Sequence, residues 1–162
     1  MQVLLQGGHL YDPSTDIDGV LDVRIRDGIL LEIGLDLVPE KDETIIDCSG
    51  LWIAPGLVDL CTFCGELGEQ HREDFVSLTN AALAGGYTDV VLGPLGTPCV
   101  DNPAVVTDLL ARSARYAVRY HCLGSLTKSL AGEELAELGL MKRAGVVGFS
   151  DGGHPIASSL VF

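Results

Sequence analysis

The sequence predicts an α/β protein in two parts: a small all-β unit over residues 1–54 and a parallel β/α unit over residues 55–162. Three observations carry this reading. Short apolar runs alternate with turn residues up to about residue 48; apolar strands alternate with helical stretches after Pro55; and the composition shifts between them in CSGLWIAPG, residues 48–56.

The first part opens with QVLLQGG, a turn at YDPSTDIDG, then VLDVRIRDGILLEIG and ETIIDCSG. Val20, Asp22, Arg24 and Arg26 alternate with Leu21, Val23 and Ile25, the period of a half-buried strand. Asp27-Gly28 is a hairpin turn signal.

In the second part GLVDLCTF reads as a first strand. Residues 71–85, HREDFVSLTNAALAG, read as a helix with Phe75, Leu78, Ala81 and Leu83 near one face and a Gly85-Gly86 stop. YTDVVLGP is a second strand. Asp101-Asn102-Pro103 opens the next helix, with Pro103 suited to its first turn. VRYHCLGSL, GEELAELGLMKRAG and VVGFSD follow as strand, helix and strand, and PIASSLVF begins another helix. Four strands and three complete helices fit a doubly wound sheet and fit half of an eight-stranded barrel equally well.

Composition narrows the function classes. Lys and Arg total 10 against 23 Asp and Glu, a net charge of −13, which repels phosphate backbones and anionic lipid. Neither nucleic acid nor a membrane is therefore expected as a partner. The N-terminus lacks a basic region and a long apolar run, so no signal peptide is expected, and no stretch is long enough to span a bilayer. Five cysteines (48, 61, 64, 99 and 122) at irregular spacing are no disulfide framework and point to a reducing cytoplasm.

Parallel α/β folds carry their chemistry at the C-terminal ends of the strands. Here those ends deliver Cys61 to Glu66, Gly93 to Gly96, Gly124 to Lys128, and Ser150 to His154. Glu66, Lys128, Asp151 and His154 are the titratable groups, with two thiols beside them. Cys61-x-x-Cys64 has zinc-knuckle spacing, but no second pair follows it, and buried structural thiols are the favoured reading. Strand alternation places Cys61 and Phe63 on one face and Cys64 on the other, unless the strand ends before them. Ser150 lies in F-S-D-G-G rather than a nucleophile elbow, and its nearness to Asp151 and His154 is weak ground for a triad. Gly152-Gly153 reads as a turn. His9 in an early turn and His121 within a strand read as structural, and His71, Glu73 and Asp74 as the first turn of a helix.

Several segments carry a family resemblance. They are A-P-G-L-V-D-L at 54–60, G-E-L-G-E-Q-H-R-E-D at 65–74, A-A-L-A-G-G-Y-T-D-V-V at 81–91, D-N-P-A-V-V at 101–106, L-T-K-S-L-A-G-E-E-L-A-E-L-G at 126–139 and A-G-V-V-G-F-S-D at 144–151. Together they resemble the dihydroorotases of the amidohydrolase superfamily, in particular the inactive type associated with aspartate carbamoyltransferase. The resemblance implies a small N-terminal β-sandwich part (1–54) followed by the first half of a TIM-type β/α barrel (55–162). It also implies that the remaining strands and later metal ligands lie beyond residue 162. The chain is thus expected to be an N-terminal portion, or a half barrel completed by self-association or by another chain.

The departures from the family pattern fall at its chemistry. The family's first strand ends in His-x-His, two metal ligands; here Cys61-Thr62-Phe63 stands in that place. The substrate-gripping Arg of the family corresponds to Gly65, and its carboxylate-binding Asn to Leu95. The acidic ligand of the fourth strand survives as Asp151, followed by Gly152. Cys61, Phe63, Gly65, Leu95 and Asp151 are therefore vestigial positions, and the expectation is a non-catalytic, cytoplasmic dihydroorotase-like subunit of pyrimidine biosynthesis, without a cofactor. Its implied partner is the aspartate carbamoyltransferase catalytic chain. The runner-up is an active zinc-dependent cyclic amidohydrolase that uses Cys61, Asp151 and residues beyond this chain. A third reading is a binding module built on Cys61 and Cys64.

Overall fold

The computed structural model describes residues 1–156 and 158–161. Ala157 and Phe162, within the stretch expected to begin a further helix, lie outside the described residues; Ser159–Val161 form a 3-10 turn. The chain divides into two compact units, Met1–Pro55 and Gly56–Phe162.

The first unit is one mixed sheet of five strands: β1 (Gln2–Asp12), β2 (Ile17–Arg26), β3 (Ile29–Gly34), β4 (Thr44–Asp47) and β5 (Trp52–Ile53). The order is β3-β2-β1-β4, and β5 also pairs with β1. β1 and β2, and β2 and β3, run antiparallel, whereas β4 and β5 run parallel to β1. Asp27 and Gly28 both have positive φ (50° and 78°), the backbone a tight hairpin needs. His9 lies within β1 and not in a turn, because β1 continues to Asp12.

The alternation in β2 does not leave its polar side chains in water. Asp22 and Arg24 are buried. Asp22 accepts from the Gly7 and Leu37 amides (2.8 and 2.9 Å). Arg24 donates to Glu43 (2.9 Å), to the Val38 carbonyl (2.6 Å) and to Glu32. Their bonds with residues 37–43 satisfy the buried charges, as buried ions require.

The second unit is a parallel sheet in the order β6-β7-β8-β9: β6 (Leu57–Thr62), β7 (Tyr87–Leu92), β8 (Arg119–Gly124) and β9 (Gly148–Phe149). Helices α1 (Phe75–Ala84), α2 (Pro103–Ser113) and α3 (Leu138–Ala144) connect them. Phe75 and Ala82 of α1, Val106 and Leu109 of α2 and Met141 of α3 share one core with Val90, Leu92, Tyr120 and Cys122. Those four sheet residues alternate onto a single face, so the helices cover one side of the sheet. A doubly wound sheet carries helices on both sides, and this arrangement is the barrel type.

Local chemistry sets the helix bounds. Asp74 caps α1 by accepting from the Ser77 amide (2.7 Å), and Ser77 Oγ accepts from the Asp74 amide (3.1 Å). The helix therefore starts at Phe75 rather than His71, and His71 and Glu73 precede it. Its buried stripe is Phe75, Thr79 and Ala82, with Leu78 partly buried; Ala81 and Leu83 fall off that stripe and are exposed. Asn102 caps α2 through the Ala104 and Val105 amides.

The third helix is half its expected length. Residues 134–136 instead pair with the segment after β8: Lys128 N to Glu134 O (2.8 Å), and Ala136 N to Leu126 O (2.9 Å). The fourth strand likewise shrinks to Gly148–Phe149.

Candidate functional site

The strand ends of the second unit bring together three of the five positions singled out in the sequence. Cys61, at the end of β6, and Phe63, just past it, line an apolar depression of about 250 Å³ with Thr62, Pro94, Leu95 and Gly152. Cys61 is exposed there. An aromatic ring and an aliphatic chain thus form the walls beside one thiol.

Asp151 does not join them through its carboxylate. It is buried, and its Oδ1 accepts from the Leu126 and Thr127 amides (2.8 and 3.0 Å) while Oδ2 accepts from Thr127 Oγ1 (2.5 Å). The charge pins the loop that leaves β8. Gly65 is also elsewhere. A Cβ at that position would stand 2.1 Å from the Glu69 carbonyl oxygen and 2.5 Å from that of Glu73. The turn accepts no side chain there without backbone movement.

The two cysteines of Cys61-x-x-Cys64 do not share a strand: β6 ends at Thr62, so alternation does not set their faces, and Cys61 is exposed whereas Cys64, beyond the strand, is buried. Cys64 is buried in the core, where desolvation, then the nearby Glu73 and Asp74 charges, push its thiol up to about 12. With Cys64 buried in the core and Cys61 exposed, the two thiols present no shared surface, so the arrangement does not support a paired-cysteine binding module.

Other expected mouth groups serve the fold. Glu66 accepts from the Phe75 amide (3.0 Å) and pairs with Arg112, joining the start of α1 to α2. Lys128 pairs with Glu134 (2.5 Å) on the surface. Ser150 Oγ accepts from the Gly152 amide (3.0 Å), and His154 Nδ1 meets the Asp151 carbonyl (3.1 Å) and not its carboxylate. These bonds do not assemble a Ser-His-Asp set. Among the described residues no group of three His, Cys, Asp or Glu is placed to hold a metal ion. The residues present do not fit a hydrolytic metal: Phe63 has no donor atom, and both Asp151 oxygens are engaged by the loop.

Two features escaped the sequence reading. Arg72 stands 5.0 Å from the Phe63 ring centroid and bonds Glu69 (2.6 Å), forming one wall of a neighbouring cleft of about 500 Å³. On the sheet face away from the helices, Asp89 is gripped by Arg119 (2.6 and 2.8 Å) and His121 (3.0 Å). The parallel register that sets Asp89 opposite Arg119 holds the signal for this cluster. Bonds from Arg119, then His121, hold the Asp89 carboxyl well below the usual carboxylate range.

Comparison with known proteins completes the picture. No family model matches the chain. Among solved structures, the L-hydantoinase (dihydropyrimidinase) of Arthrobacter aurescens superposes with a TM-score of 0.72 at 22% identity, over 91% of this chain and 32% of that one. The D-hydantoinase of a Thermus species gives 0.67 at 16% identity, over 87% and 30%. The fold is that of a partial amidohydrolase-type β/α barrel preceded by a mixed sheet.

Sequence relatives are more specific. Dihydroorotases of Geobacter metallireducens and Geobacter sulfurreducens are 40% and 39% identical over 160 residues, covering 98% of this chain. That of Acetivibrio thermocellus is 37% identical over 158 residues. The chain is thus similar in sequence to these dihydroorotases and spans 38% of the length of the first two, a share that fits an N-terminal portion of them. No helix among the described residues is long and apolar enough to cross a membrane.

Proposed function

We propose that this chain is a non-catalytic dihydroorotase-like subunit that assembles with the catalytic chain of aspartate carbamoyltransferase. The observation that carries the reading is the apolar depression of Cys61, Phe63 and Leu95, beside an Asp151 whose oxygens are committed to the loop after β8. Metal-assisted hydrolysis needs an ion that lowers the pKa of water and polarises the scissile carbonyl. A phenyl ring and a leucine provide neither a seat for that ion nor a grip on a carboxylate. Gly65, hemmed in by two carbonyls, leaves no room for a guanidinium on a long stem.

The scaffold argues for a role in assembly. Helices α1 and α2 are capped by Asp74 and Asn102 and share one core with the sheet, and the edge strand β6 shows Leu57, Val58 and Leu60 to solvent. An apolar edge of this kind is covered by further polypeptide when a barrel is complete. The test is co-expression with the aspartate carbamoyltransferase catalytic chain, followed by size determination of what co-purifies. A stable complex of both chains is expected. Two chains that elute separately at micromolar concentration would overturn the assembly role.

A further inference from the structure

The solvent face of the first unit carries an aromatic cluster that the dihydroorotase-like reading leaves unused. Trp52 of β5 lies opposite His9 of β1, and their rings stack at 4.3 Å between centroids. Tyr11, two residues along β1 and so on the same face, meets Trp52 edge-on at 6.1 Å. Leu10 and Ile53, which alternate with them, line the opposite, apolar side of the sheet. Trp52 is 69% exposed and Tyr11 43%. Val20, opposite His9 on β2, is exposed as well.

A tryptophan so open to water costs solvation free energy unless something covers it, and Trp and Tyr are the residues that most often anchor protein interfaces. The rim supplies the sign of the partner's charge. Asp18 lies opposite Tyr11 and bonds His9 Nε2 (2.6 Å), and Asp12, the last residue of β1, and Asp16, in the turn that follows, add to it. No Lys or Arg occurs between Met1 and Asp22, and the whole chain carries −13. An indole face beside carboxylates suits a planar guanidinium, which stacks on the ring while pairing with an acid.

We propose that the His9–Tyr11–Trp52 face docks an arginine-bearing segment of a partner protein. This inference rests on the first unit alone and is independent of whether the second unit binds metal or turns over substrate. Trp52 is the only tryptophan, so its emission reports the site directly. The intact chain is titrated with a short oligoarginine peptide, and with oligolysine and oligoglutamate of equal length. Saturable change in Trp52 emission is expected with oligoarginine, weaker binding with oligolysine and none with oligoglutamate.

Calorimetry with Trp52→Ala separates the cluster from general attraction to an acidic surface. Binding about fivefold weaker is expected for that variant, near-parental binding for Trp52→Phe, and a few-fold loss for Asp18→Asn. Unchanged affinity in Trp52→Ala, or no saturable emission change with oligoarginine, would overturn the proposal.

Discussion

At the residue scale, Asp151 is a buried carboxylate that serves the fold. Its two oxygens satisfy three donors in a buried loop. Removing a charged acceptor from buried N–H groups costs about 2–3 kcal/mol, so Asp151→Ala should lower the urea midpoint clearly. A catalytic carboxylate held under strain would show the opposite, because its removal relieves repulsion. Gly65→Ala should destabilise by about 2 kcal/mol or more, since a methyl group cannot share space with the Glu69 and Glu73 carbonyls; unchanged stability would show that this turn relaxes freely. Asp89 yields a pH prediction. Its folded-state pKa is depressed, so its contribution is present above the ordinary carboxylate value, about 4, and is lost as pH falls through the lower folded value. Asp89→Asn should therefore flatten the acid limb of a stability–pH curve, and an unaltered limb would count against the Arg119 and His121 bonds.

At the scale of elements, the strand and helix pattern was legible because apolar periodicity, caps and turn residues agree. Asn102-Pro103 marks the start of α2, and Asp27-Gly28 the hairpin. What stayed hidden involved partners remote in sequence. The length of α3 depends on Ala136 and Glu134 pairing with the segment after β8, which no local propensity encodes. Burial of Asp22 and Arg24 depends on residues 37–43 closing over β2. In the candidate site, Cys61, Phe63 and Leu95 were legible from the family pattern, whereas the engaged oxygens of Asp151 and the closed turn at Gly65 were not. The Asp74 cap offers an element-scale test. Asp74→Ala should cost about 1 kcal/mol in thermal or urea unfolding, with loss of amide protection concentrated in the first turn of α1. Uniform loss across the second unit would mean that the cap contributes only to global stability.

At the scale of the whole molecule, a partial β/α barrel carries an apolar depression of Cys61, Phe63 and Leu95 at its strand ends. The exposed row on β6, with Leu60 74% accessible, belongs to this scale because a contiguous apolar patch favours association. Leu60→Lys should reduce concentration-dependent association in sedimentation experiments, and association unaffected by it would move the contact surface elsewhere. The central claim concerns metal and turnover. It is tested most directly by purifying the protein from zinc-supplemented cells, counting bound metal, and assaying dihydroorotate ring opening on the same sample, alone and with the aspartate carbamoyltransferase chain added. The expected result is neither stoichiometric zinc nor ring opening in either sample. Stoichiometric zinc accompanied by turnover would contradict the account.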